Sequence, residues 1–438
     1  MTQLSTSAAS FLVWILLTFV AACEDRDGLA IEPGGAPLPE EVGTDTTVRG
    51  LVARLLPEIE TLSGLPARRP LAVAVRTRDE LEAYLVAQLA EQLPPEKLAV
   101  IEGSYARLGL VPEDVALDEL LRALLLEQVV GYYDPARDTL YVMDGIEPAL
   151  IQPVVAHEMV HALQDQYADL DSLMAANEES NDRATAAQSA LEGHATLAML
   201  EWQLGKLTRG AIELESLPDF SSLPEDALME AAGLEMPALA SAPRVIRESL
   251  VFPYLGGLEF VRARRRANDG ARIAPLGDEM PISTEQVLHP DRAFGATRDD
   301  PVELAFTTPP VDGRREVHTD GLGELEIRIW LHEHLGDPSR ARSAAAGWDG
   351  DRYRLTRGEG GEVLTWVTAW DSDEEAREFA AAAQAVAGMR YGSGSGRVLE
   401  VSRDSASGVP LVVVIDRPSD LALSHESVSV AARRSPDR

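Results

Sequence analysis

Two histidines four residues apart, with a glutamate directly after the first, stand in the stretch PVVAHEMVHALQDQYADL, residues 153–170. On an α-helix, four residues bring the chain round by roughly one turn, so His157 and His161 project from one face and can grip a single ion. Glu158 sits about 100° further round the helix. There its carboxylate can reach a water on the ion without ligating the ion itself. Zn2+ suits such an imidazole pair: it lowers the pKa of a bound water and polarises a carbonyl, while the glutamate accepts the water's proton and passes it to a leaving amine. Val155, Met159, Leu163 and Leu170 are expected on the opposite face, packing into a core.

A catalytic zinc site takes three protein ligands and leaves a position for water. Residues 183–208 read as a second helix that offers Glu192 in ALEGHATLAM, and Gly193 beside it permits a close helix approach. His194 lies about 200° from Glu192 on the same helix and is expected to point away from an ion. His332 and His334, two apart in a helical stretch, diverge and read as a solvated face. His318 and His425 have no partner at a useful spacing.

HEMVH followed by LEGHA resembles the gluzincins, the zinc metallopeptidase group that includes thermolysin. That resemblance implies a zincin-like, mainly helical catalytic domain with a small β-sheet. It implies His157, His161 and Glu192 as the metal ligands and Glu158 as the base. It also implies a hairpin strand before the motif that aligns a peptide or protein substrate by main-chain pairing, for which TLYV (139–142) is the candidate. Thermolysin-like enzymes carry an aspartate four residues after the ligand glutamate, where this chain has Thr196; Asp165, one turn beyond His161, is the expected partner of a ligand histidine instead. The oxyanion stabiliser that such enzymes use has two candidates here, His289 in VLHP and Tyr254 in FPYLGG. The series GYYDP, HEMVHALQDQ, ALEGHA, FPYLGG and STEQVLHP is also similar to a group of bacterial exported proteins assigned to the same clan.

The elements that must position these residues follow from periodicity. VRGLVARLLPEIETLSGL, RDELEAYLVAQLAEQL and VALDELLRALLLEQVV carry apolar residues at helical spacing, and LAVAVRT (71–77) is a strand candidate. GYYDPARDTLYV reads as two β segments around a DPARD turn. Residues 210–320 are proline-rich and read as helices and loops closing the first domain. After about residue 320 the pattern changes to a helix, GELEIRIWLHEHLG, and four strands, DRYRLTR, EVLTWVTAW, RVLEVSR and VPLVVVID. Between the second and third strands lies a helix with Ser372 and Glu375 in capping-box spacing. Trp348, Trp366 and Trp370 are expected in its core. The fold class is therefore α+β, with a small α+β domain following the catalytic one.

At the N-terminus an apolar run from Phe11 to Ala22 is too short to span a bilayer and has the length of a signal-peptide core. VAAC, ending at Cys23, resembles the lipobox of bacterial lipoproteins, which implies lipidation of that cysteine, the only one in the chain. The expected organisation is a signal peptide at 1–22, a lipidated flexible linker at 23–46, a catalytic domain at 47–318, an α+β domain at 319–416 and a tail at 417–438. An exported, membrane-anchored envelope protein follows from it. The net charge of −33 argues against nucleic acid as a partner, since the one basic run, RARRRA (262–267), is short. Zinc peptidase chemistry is the leading expectation; a zinc-binding lipoprotein that binds an envelope partner without catalysis is the rival.

Overall fold

The computed structural model describes residues 48–128, 130–146, 148–177, 180–219, 236–310, 313–391, 395–421 and 430–433. The expected signal peptide, Cys23, the linker and His425 lie outside the described residues. Helix α1 (Val48–Ser63) leads into β1 (Ala72–Arg76), helices α2 (Arg78–Gln92), α3 (Pro95–Leu108) and α4 (Leu117–Gln128), and the hairpin of β2 (Gly131–Asp134) and β3 (Thr139–Met143). The motif lies in α5 (Pro148–Asp165), followed by α6 (Leu170–Asn177) and the long α7 (Asn181–Thr208). Then come α8 (Pro237–Ser241), α9 (Arg244–Ala267), α10 (Thr284–Leu288) and β4 (Glu303–Phe306). The C-terminal part holds β5 (Arg315–Asp320), α11 (Gly323–Leu335), α12 (Pro338–Ala345), β6 (Trp348–Gly358), β7 (Gly361–Trp370), α13 (Asp373–Arg390), β8 (Arg397–Ala406), β9 (Val409–Pro418) and β10 (Val430–Arg433). The fold is α+β.

Local chemistry sets the element ends. Thr77 and Glu80 form a reciprocal capping box at the start of α2, and Ser372 accepts the backbone N–H of Glu375 at the start of α13. The DPARD turn closes because Asp134 accepts from the backbone N–H of Arg137 while Asp138 takes up a left-handed conformation, φ 46°.

The hairpin pairs antiparallel, and β1 joins it parallel to β3, giving the order β1-β3-β2. The expected substrate-aligning strand is thereby corrected: TLYV lies in β3, which has a neighbour on both sides, and the edge beside the motif helix is β2. Leu170 also departs from expectation. Helix α5 ends at Asp165, and Leu170 opens α6 and packs with Ala186, Leu191 and Phe260. Val155, Met159 and Leu163 pack as expected, against Leu51, Leu55 and Ile59 of α1.

Helix α7 is buried on nearly every side from Asn181 to Met199, because its Ala, Gly, Ser and Thr residues let neighbours approach from all directions. It packs against α1, α5, α6, α9, α10 and α11. The five-stranded antiparallel sheet β5-β6-β7-β9-β8 sets Tyr353, Trp366, Trp370 and Val414 into a core shared with Leu85, Leu121 and Leu250 of the preceding helices. The tryptophans are core residues; Trp348 and Trp366 donate their indole N–H groups to Asp351, and Trp370 donates to Thr368. The boundary expected between His318 and Thr319 falls inside β5. Part of the expected tail is structured, since Val430–Arg433 pairs antiparallel with β4. Three of the four RARRRA arginines are buried and paired, Arg262 with Glu259, Arg264 with Glu279 and Arg265 with Glu201, while Arg266 is exposed. No helix among the described residues is long and apolar enough to cross a membrane.

Candidate metal centre

Helices α5 and α7 bring His157, His161 and Glu192 together. The Nε2 of His157 lies 3.0 Å from Oε2 of Glu192 and 3.1 Å from Nε2 of His161, which is itself 3.3 Å from that oxygen. Bonds of about 2.1 Å at tetrahedral angles place the ligand atoms of a zinc ion about 3.4 Å apart. The triangle is close to that spacing, and two imidazoles with one carboxylate form the donor set of a catalytic zinc site, so the residues fit the ion that their types imply. All three are buried, at 3 %, 5 % and 5 % exposure, and so is Glu158 at 4 %.

Electrostatics bind the group tightly. Burial alone would raise the Glu192 carboxyl, but the two histidines outweigh it and hold that carboxyl well below the ordinary range. Burial lowers His157, while at His161 the Glu192 and Glu158 carboxylates overcome burial and push the ring up. Glu158 is pushed up to about 8, mainly by burial. One of its oxygens accepts the backbone N–H of Tyr133 in β2 at 2.8 Å, which fixes the carboxyl between the motif helix and the sheet edge.

Gly193 does permit a close approach, though to a different helix from the one the motif suggested. A Cβ there would lie 2.0 Å from the carbonyl carbon of Gly257 in α9, and a Cβ on Gly257 would lie 2.0 Å from the carbonyl oxygen of Ser189. This glycine-on-glycine crossing presses α9 against α7 and carries Tyr254 over the cluster, its ring stacked on His157 with centroids 6.1 Å apart. The Tyr254 hydroxyl is buried without a well-formed hydrogen bond, and burial beside Glu192 and Glu158 keeps it protonated.

Three expected assignments are corrected. Asp165 does not hold a ligand histidine: it accepts from the Tyr133 hydroxyl at 2.8 Å, pairs with Arg69 at 3.2 Å and takes the backbone N–H of Leu170. The partner of His161 is Gln164, whose Oε1 lies 2.9 Å from Nδ1. Its signal was present, since Gln164 is three residues after His161 and shares its face. His289 is bound to Glu324 and Arg328 at 3.1 and 3.0 Å, not to the cluster. The face carrying His332 and His334 is not simply solvated: His334 reaches the carbonyl of Leu108 at 3.2 Å, and His332 lies 3.3 Å from Arg244. His194 points away from the cluster, to Ser63 and Gln164. Asp182 is engaged with the backbone N–H and hydroxyl of Thr284.

A family model described as a domain of unknown function (DUF8575) matches residues 310–429, the C-terminal sheet with its helices and not the metal cluster. No protein in the curated set matches the chain. Among solved structures, a crystal structure from Chloroflexus aurantiacus, provisionally described as a hydrolase with a novel fold, is 20% identical. The match covers 55% of this chain and 85% of that one with a TM-score of 0.33, a likeness too distant to carry an argument.

Proposed function

We propose that the chain is a zinc-dependent peptidase, with His157, His161 and Glu192 holding the ion. What carries the reading is the triangle of ligand atoms with Glu158 beside it. A structural zinc site is normally closed by four protein ligands and has no use for a base. Zinc in this position supplies a more acidic water and a polarised substrate carbonyl. Glu158, fixed by the Tyr133 N–H, would act in its ionised form, which a bound cation favours against the burial that raises its carboxyl in the metal-free cluster; it would accept the water's proton and deliver it to the leaving nitrogen. The Tyr254 hydroxyl, buried over His157, donates to the oxygen on which negative charge develops. Edge strand β2, next to Glu158, offers main-chain groups to an extended substrate. The segment before residue 47 fits a lipid anchor at Cys23 and an extracytoplasmic location in the cell envelope.

Glu158→Gln tests the reading. It preserves shape and removes the base, so zinc content should stay stoichiometric while hydrolysis of a broad peptide library falls by about 10²–10⁴-fold. Activity near wild type would reject Glu158 as the base. The near-complete burial of the ligands favours one second reading, a zinc-binding envelope protein without catalysis. Wild-type protein that holds zinc and cleaves no member of the library would support it.

A further inference from the structure

A chain of hydrogen bonds runs from a backbone carbonyl at the end of α1 to the metal cluster, and its polarity is fixed at the far end. The carbonyl of Ser63 can only accept, so the His194 Nε2 that lies 2.9 Å away carries a hydrogen. The carbonyl of Leu191 can likewise only accept, and it lies 3.1 Å from Nε2 of Gln164. That contact orients the Gln164 amide independently, because the flipped amide would set two oxygens against each other. The same amide nitrogen is 3.1 Å from His194 Nδ1, and it only donates, so Nδ1 accepts and the His194 ring is the neutral Nε2–H form. Gln164 Oε1 is then the atom that faces His161 Nδ1 at 2.9 Å, and an amide oxygen only accepts. In the neutral ring the one hydrogen of His161 therefore sits on Nδ1. Its Nε2, 3.3 Å from Glu192 Oε2, keeps a lone pair directed at the cluster.

We propose that Gln164 and His194 are positioning residues that set the tautomer of His161, transmitting the polarity of the Ser63 and Leu191 carbonyls to a metal ligand. Without them the Glu192 carboxylate would draw the hydrogen onto Nε2, the nitrogen a cation needs bare. A neutral amide does this without adding negative charge to a cluster that already holds Glu192 and Glu158. The consequence for metal binding rests on the zinc reading; the tautomer does not.

Long-range 1H–15N correlation spectra of the metal-free protein, at alkaline pH where the ring is neutral, read the tautomer directly. Wild type should show His161 with hydrogen on Nδ1, and Gln164→Met should shift it toward Nε2. In chelator competition Gln164→Met should bind zinc about 10–100-fold more weakly. His161 in the Nε2–H form in wild type, or a Gln164→Met protein with wild-type tautomer and affinity, overturns the proposal. Wild type with the Nδ1–H form but no zinc affinity would leave the tautomer assignment standing and reject the zinc reading. Should Gln164→Met fail to fold, His194→Phe keeps the ring volume and removes the amide's acceptor. Faster solvent exchange of the His161 Nδ1 hydrogen is then expected, and unchanged exchange rejects the part assigned to His194.

Discussion

Among the described residues two clusters bring three metal-ligating side chains within reach of one another, His157/His161/Glu192 and Glu285/Asp299/Asp371. In the second, the guanidinium of Arg292 already occupies the centre: one of its nitrogens lies 2.6 Å from Glu285, 3.2 Å from Asp299 and 2.7 Å from Asp371. In the first, the partners of Glu192 are the two histidines, which carry charge only when protonated. An arginine cannot give up its proton, whereas a histidine can and then offers a lone pair. Proximity of acids therefore does not distinguish a metal site from an ion-pair network. The distinction lies in whether the chain supplies a permanent cation of its own.

The largest effect that could break this comparison is on metal affinity. Glu192→Ala removes one of the three proposed ligands and should weaken zinc binding by orders of magnitude, while Asp371→Ala should leave stoichiometric zinc; equal losses measured by chelator competition would erase the difference between the clusters. Gly193→Ala comes next. Its methyl would have to enter backbone atoms of Gly257, so the helices must separate, at a cost of about 2–4 kcal/mol in urea unfolding, with weaker zinc binding as Glu192 is displaced. Gly193→Ala with wild-type stability would show that the crossing is loose.

Arg292→Met sharpens the other half. Breaking a buried pair on one side costs about 3–5 kcal/mol, and the partial exposure of Arg292 reduces this to about 2 kcal/mol at neutral pH. The loss should stay constant on acidification and grow as pH rises through about 9, because Glu285 is protonated below that pH with or without Arg292. Burial pushes Glu285 up to about 9 despite Arg292, so the folded state holds a proton that the unfolded state releases in the ordinary carboxylate range. The stability from that proton is complete below the unfolded pKa and is lost as pH rises through the folded one. A penalty that does not grow above about pH 9 would remove Glu285 from the account. Smallest is Gly205→Ala, further along α7, where an added Cβ meets nothing within 4 Å. It should stabilise by about 0.5–1 kcal/mol through helix propensity alone, in contrast to Gly193→Ala in the same helix.

Legibility in the sequence followed the range of the interaction. The hairpin, the motif helix, the capping of α13 and four of the five strands of the C-terminal sheet, all but β5, were readable because turn chemistry and periodicity act within a few residues. Asp165 and Gln164 show where that range ends. They lie four and three residues after His161, and helical phase places both on its face. Asp165 is drawn off by Tyr133 and Arg69, residues distant in sequence, and only Gln164 remains for the histidine. His289 was misplaced for the same reason, since Glu324 and Arg328 come to it from a separate helix.

The sequence by itself determined that His157 and His161 share a face with Glu158 one residue on, because helix geometry enforces this wherever the segment is helical. It also determined the tight packing of α7, through its small residues. The tertiary structure decided which helix Gly193 would meet, that Tyr254 would ride over His157, and that β2 rather than β3 would form the edge beside Glu158. Those outcomes depend on Gly257, on the parallel addition of β1 and on the Tyr133 N–H. They are contacts between segments far apart in the chain, chosen by burial of whole faces, which no local spacing encodes.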